Sequence, residues 1–173
     1  DLKALPSLIE KTLLHDNDIQ AISSTFNEAK GSMFLGRGYS YPIALEGALK
    51  LKELSYVHAE GYPAGEMKHG PLALIEEGLP VIVIAPKDKY FEKTLSNMQE
   101  VIARGGKIFF LTDNKKDSIS ENIRFGIRVP HLDELLSPIL LAVPLQLLAY
   151  HVALLKNCDI DKPRNLAKSV TVE

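Results

Sequence analysis

The sequence has little of what would mark a secreted, membrane-bound or nucleic-acid-binding protein. It holds one cysteine, Cys158, in 173 residues. A single cysteine excludes an internal disulfide and fits a reducing compartment, the cytoplasm. Cys158 adjoins an apolar stretch, so it reads as a packing residue rather than a nucleophile. No charge sign is in excess: 20 Lys and Arg stand against 22 Asp and Glu, a net charge of −2. That leaves no electrostatic case for a nucleic acid or an anionic membrane as partner. The longest apolar run, Ile139 to Leu148, is interrupted by Pro144 and Gln146. It is too short for a bilayer span, which needs roughly 20 residues. Asp1-Leu2-Lys3-Ala4 has no apolar run behind a basic head, so no secretory leader is expected there. A first residue other than methionine is expected of a piece of a longer chain. His15, His58, His131 and His151 are scattered, with no pair at metal-ligand spacing and no cysteine pair to help, so no metal or cofactor is expected. There is no internal repeat, low-complexity tract or linker.

What is present suits one domain with a real core: 46% hydrophobic and 24% charged residues. Apolar spacing predicts a helix over 2–14, and Asp16-Asn17-Asp18 is placed to cap a second one running through Ile19, Ile22 and Phe26 to Ala29. Met33-Phe34-Leu35 reads as a first strand ending at Gly36. A helix follows to about Tyr56, with Pro42 in its first turn, where a missing N–H is harmless. Further strands are predicted at 59–62, 80–86, 107–112 and, more weakly, 123–129, with helices over 90–103 and 137–155. Strands alternating with helices imply a doubly wound, flavodoxin-like α/β fold with about five parallel strands. Ligands of such sheets bind beyond the carboxyl ends of the strands, where the Gly36-Arg37-Gly38-Tyr39-Ser40 turn lies.

The helix after that turn carries the main candidate. Glu46, Lys50 and Glu53 are spaced by four and three residues, which puts them on one face. Ile43, Ala44, Leu45, Ala48, Leu49, Leu51 and Leu54 cover most of the remainder, as in a buried helix. The stripe is open to two readings: a structural ion pair on a half-exposed face, or a carboxylate and an amine lining a pocket. Gly36-x-Gly38 lacks the third glycine of the dinucleotide fingerprint and is either an anion cradle or a plain tight turn. His69 sits in a polar turn between Gly65 and Gly70-Pro71, either idle or free to act as acid or base near neutral pH. Lys168 lies in a tail, 159–173, that contains apolar residues; a docked, desolvated tail lysine is a candidate nucleophilic amine.

These residues sit in longer runs. Leu35-Gly36-Arg37-Gly38, the stretch Tyr41 to Glu53, His58-Ala59-Glu60, the stretch Gly65 to Leu74 and the tail Pro163 to Glu173 closely resemble the second sugar-isomerase (SIS) domain of the glutamine:fructose-6-phosphate amidotransferase family. The resemblance covers nearly the whole chain from about Gly31. It implies a helical lead-in over 1–30, an SIS domain over 31–158 and a tail over 159–173 that carries active-site residues. It also implies roles: Glu53 as the base moving a proton between carbon 1 and carbon 2 of the sugar, Lys50 as handler of the carbon 1 hydroxyl proton, and Glu46 as a substrate-positioning residue. His69 would open the sugar ring from a neighbouring subunit of a homodimer. Lys168 would form a Schiff base with the open-chain ketose, and Arg164 would lie beside the active site.

Two parts of the family pattern are missing. The phosphate loop rich in Ser and Thr belongs to the first SIS domain, and the amino-terminal cysteine of the glutaminase half is absent. The chain is therefore expected to be a piece of the isomerase half that binds sugar phosphate weakly and turns over poorly alone. Two alternatives stand beside this: a non-catalytic sugar-phosphate-binding or dimerisation SIS module, and a related phosphosugar isomerase or deglycase. The joint presence of Glu53, Lys50, His69 and Lys168 favours the enzyme, and the tail from Asp161 to Lys168 favours the amidotransferase.

Overall fold

The computed structural model describes residues 2–114, 123 and 125–166. Five strands form one sheet: β1 (Gly31–Gly36), β2 (His58–Pro63), β3 (Pro80–Ile84), β4 (Lys107–Thr112) and β5 (Phe125–Arg128). Their spatial order is β2-β1-β3-β4-β5, and each neighbouring pair is parallel. This is the doubly wound, flavodoxin-like sheet expected from the alternation of elements, and its order reverses between β1 and β3.

Strand alternation builds two cores. Phe34, Ile82, Ile84, Phe109, Leu111 and Ile127 point to one face, where α1 (Leu5–Leu13), α2 (Asp16–Ser23), α3 (Ser40–Ser55) and α5 (Ser137–Leu155) cover them. Met33, Leu35, Val81, Val83, Ile108 and Phe110 point to the other, under α4 (Phe91–Ile102) and the segment after β2. That segment carries two 3-10 helices, Ala64–His69 and Pro71–Leu74. Strands buried on both faces explain the unbroken apolar runs of β3 and β4.

Three expectations need correction. α2 stops at Ser23 and gives way to a 3-10 turn over Ser24–Phe26, short of Ala29. The hydroxyls of Ser23, Ser24 and Thr25 donate to the carbonyls of Gln20, Ala21 and Ile22, a local alternative that weakens helix propagation. No aspartate caps α2; Asp16 instead pairs with buried His151 at 2.7 Å, tying α2 to α5. α3 is not covered all round, because Leu45 and Leu49 are exposed. α5 runs over Ser137–Leu155 as predicted; its 19 residues are long and apolar enough by composition to cross a membrane, which the run Ile139 to Leu148 alone is not. Half of it is buried against this chain's own α1, α2 and α3, and Pro144 lies inside a continuous helix.

Candidate active site

α3 places the charged stripe. Lys50 Nζ lies 2.7 Å from Glu53 Oε2 and 3.7 Å from Glu46 Oε1, so one ammonium sits between two carboxylates. The side chains are 43%, 32% and 30% exposed for Glu46, Lys50 and Glu53, which keeps all three within reach of a ligand. Their backbones are held firmly. Gly47, on the same helix, leaves so little room that an added Cβ would lie 2.8 Å from Leu145 Cδ1 and 2.9 Å from Phe34 Cε1. The hydrogen bond to Glu53 raises the Lys50 pKa above its ordinary value, against the opposing effect of burial. Lys50 is therefore an ammonium at neutral pH, suited to donating to an oxygen and not to attacking a carbon.

The end of α3 binds the start of the tail. Tyr56 closes the helix in the left-handed conformation at φ 61°. Its hydroxyl accepts the Arg164 backbone N–H at 2.8 Å, and the Arg164 guanidinium lies 4.0 Å from the ring centroid. Arg164 is thus docked on a residue three positions beyond Glu53 in sequence. Lys168 lies outside the described residues.

The opposite end of α3 is closed. The amides of Ser40 and Tyr41 donate to the carbonyls of Arg37 and Gly38 at 3.0 and 3.2 Å, and Pro42 has no N–H to offer. A Cβ on Gly36 would meet Ser40 O at 2.2 Å, and one on Gly38, at φ 54°, would meet the Tyr90 ring at 2.8 Å. The Gly36-x-Gly38 turn is a tight connection whose Arg37 and Gly38 carbonyls accept the first helix amides and whose glycines sit against backbone and ring, which favours the plain tight turn of the two readings.

His69 is not brought to the α3 stripe within the chain. It is exposed at the end of a 3-10 helix whose Ala64 and Met67 are buried in the α4-side core, so the sheet lies between it and α3. Two groupings have no obvious signal in the sequence. Arg37 reaches Asn97 on α4, and buried Asp113 joins His131 Nδ1 at 2.6 Å while accepting the Lys87 N–H at 2.6 Å. Near that second grouping, burial pushes the Asp88 carboxyl up. On β2, a Tyr62–Glu60 hydrogen bond pushes the tyrosine up to about 12.

The SIS domain profile matches residues 25–156. Over 99% of its length the chain is 56% identical to glutamine–fructose-6-phosphate aminotransferase [isomerizing] of Bartonella henselae, and equally so to that of Escherichia coli K12. It spans 28% of the length of each. The structure superposes on the C-terminal domain of glucosamine-fructose-6-phosphate aminotransferase from Francisella tularensis with a TM-score of 0.90 and 45% identity, covering 93% of this chain and 45% of that one. A tagatose-6-phosphate ketose/aldose isomerase from Escherichia coli shares the fold, with a TM-score of 0.68 at 19% identity over 84% of this chain and 44% of that one.

Proposed function

Because the chain belongs to the SIS domain family, and matches the C-terminal part of these aminotransferases, we propose that it supplies the proton-transfer half of a sugar-phosphate isomerase site. The intact protein would convert fructose 6-phosphate and glutamine to glucosamine 6-phosphate and glutamate, in the cytoplasm. The observation that carries this is Lys50 held between Glu46 and Glu53 on a half-exposed face of α3.

The chemistry divides among few groups. His69 takes the proton of the carbon 2 hydroxyl of the closed sugar as the bond from carbon 2 to the ring oxygen breaks, and that oxygen regains a proton. The Lys168 amine condenses with the freed carbonyl and releases water; ammonia, released from glutamine elsewhere in the protein, then displaces the lysine. Glu53 removes a proton from carbon 1 and returns it to carbon 2. Lys50 gives one of its protons to the carbon 2 nitrogen and takes in its place the proton that leaves the carbon 1 hydroxyl as the aldehyde forms, and Glu46 holds that ammonium in place. A carboxylate paired with a fixed ammonium suits a step in which charge moves between neighbouring carbon and oxygen atoms.

Two geometric points support the remaining assignments. Arg164 is anchored at Tyr56, three residues after Glu53 in sequence, and the four residues from there to Lys168 span at most about 14 Å, a length that suits a tail lysine serving this end of α3. His69 and Glu53 lie on opposite faces of the sheet, which fits a homodimer in which the imidazole serves the neighbouring copy. The test is borohydride trapping of the full-length protein with fructose 6-phosphate. An adduct on Lys168 is expected, and an adduct elsewhere, or none, ends the assignment of that lysine. Turnover retained in the E53Q protein would remove Glu53 as the base.

A further inference from the structure

The 3-10 helix that ends in His69 is fastened to the body of the chain at three points. Ala64 and Met67 are fully buried in the α4-side core. Lys68 Nζ pairs with Glu100 Oε1 on α4 at 3.0 Å. The third point is Arg37, the residue after β1. Its Nε and Nη2 both donate to Oδ1 of Asn97, at 3.3 and 3.1 Å, and Asn97 is 6% exposed. Asn97 and Glu100 are three apart on α4 and so share a face. The guanidinium also lies against Gly65: a Cβ there would be 2.8 Å from Nη2 and 3.1 Å from Cζ. No other residue type fits at 65 without displacing the arginine. At the end of this fixed platform His69 is exposed, and nothing lies within 4 Å of a Cβ on Gly70.

We infer that Arg37 is a positioning residue for His69. Its planar guanidinium, clamped by Asn97 on one side and bearing on Gly65 on the other, sets the platform from which the imidazole projects toward a sugar held by a second copy. This rests on the role proposed above for His69. A lone exposed loop would hold an imidazole in many orientations, whereas proton transfer needs it within hydrogen-bond reach of one oxygen. Misplacement by about 1 Å costs on the order of 100-fold in rate. Lysine at 37 would keep the charge but lose the flat, multiply donating group that spans Asn97 and Gly65.

The experiment separates ring opening from the later steps. In the full-length protein, R37M, R37K and G65A are compared with H69N on two substrates. One is fructose 6-phosphate. The other is 5-deoxy-fructose 6-phosphate, which lacks the hydroxyl that closes the furanose ring and therefore needs no opening. R37M and G65A are expected to lower kcat on fructose 6-phosphate about 10- to 100-fold, with KM within about twofold, and to leave the open-chain substrate within about twofold of wild type. R37K is expected to fall between, and N97D, which keeps an acceptor for the guanidinium, to stay near wild type. If H69N is selective for the closed sugar but the Arg37 and Gly65 variants slow both substrates equally, or neither, the positioning role is overturned and the histidine's role stands. If H69N itself slows both substrates equally, the histidine assignment fails and takes the inference with it. Should R37M not fold, R37K and G65A carry the same comparison.

Discussion

The two ends of α3 are built on opposite terms. At its start, the Gly36-Arg37-Gly38 turn uses its carbonyls to satisfy the first helix amides, and Tyr90 packs on Gly38. At its end, Lys50 and Glu53 remain about one-third exposed, and Tyr56 takes hold of the tail. In a doubly wound sheet the carboxyl-end turn beside the reversal is where a ligand is expected. Here that turn is spent on structure, and the ionisable groups run along the helix away from it. The lesson is that a fold-level rule locates a region to inspect, while the free valences of particular groups decide where chemistry is available.

Four changes probe this contrast. The largest effect is expected at the open end: E53Q in the full-length protein should lower turnover by about 1,000-fold or more. Its circular dichroism and melting temperature should stay close to wild type, since Glu53 is a partly exposed group. At the closed end, G36A should act on stability. Its methyl would press on the backbone at Ser40, which cannot swing aside, and urea denaturation should show a loss of about 3 kcal/mol. A stable G36A protein would mean that the turn is looser than described. Y56F should remove the acceptor for the Arg164 N–H and keep the stacked ring. The loss, of about 1 kcal/mol, is expected as weaker protection of the tail against protease, with Y56A showing more. The smallest effect concerns pH. The Lys50 pKa is raised in the folded state, so its pairing stabilises fully below the unfolded lysine value and fades as pH rises through the higher folded one. Wild type should therefore exceed K50M in stability by a few tenths of a kcal/mol at neutral pH. The difference should shrink above pH of about 10.5, and a difference that grows there would reverse the sign argued for the pair.

Much of the fold was legible because burial leaves a plain pattern. β4 and α5 match their predicted limits to the residue, the one a run closed by Gly105-Gly106 and Asp113, the other opened by Ser137-Pro138. The stripe of Glu46, Lys50 and Glu53 was legible too, since helical spacing alone makes those side chains neighbours. The exposure of Leu45 and Leu49 was not, because apolar residues on a helix do not say which of its sides another element covers. Nor were the partnerships of Arg37 with Asn97 and of Tyr56 with Arg164, which join positions 60 and 108 residues apart. No local period links such pairs. Only the sheet order, which brings β1 beside β3 and hence the β1 turn beside α4, makes the first possible.

By itself, then, the amino-acid order determined the strand and helix alternation, the single charged face of α3 and the carboxylates and amine that stand along it, because each follows from spacing within one element. The tertiary structure alone decided that the glycine turn is filled, that the tail begins against Tyr56, and that His69 and Glu53 stand on opposite faces of the sheet. Those depend on which elements meet after the chain has doubled back, a matter of long-range packing that no stretch of sequence holds within itself.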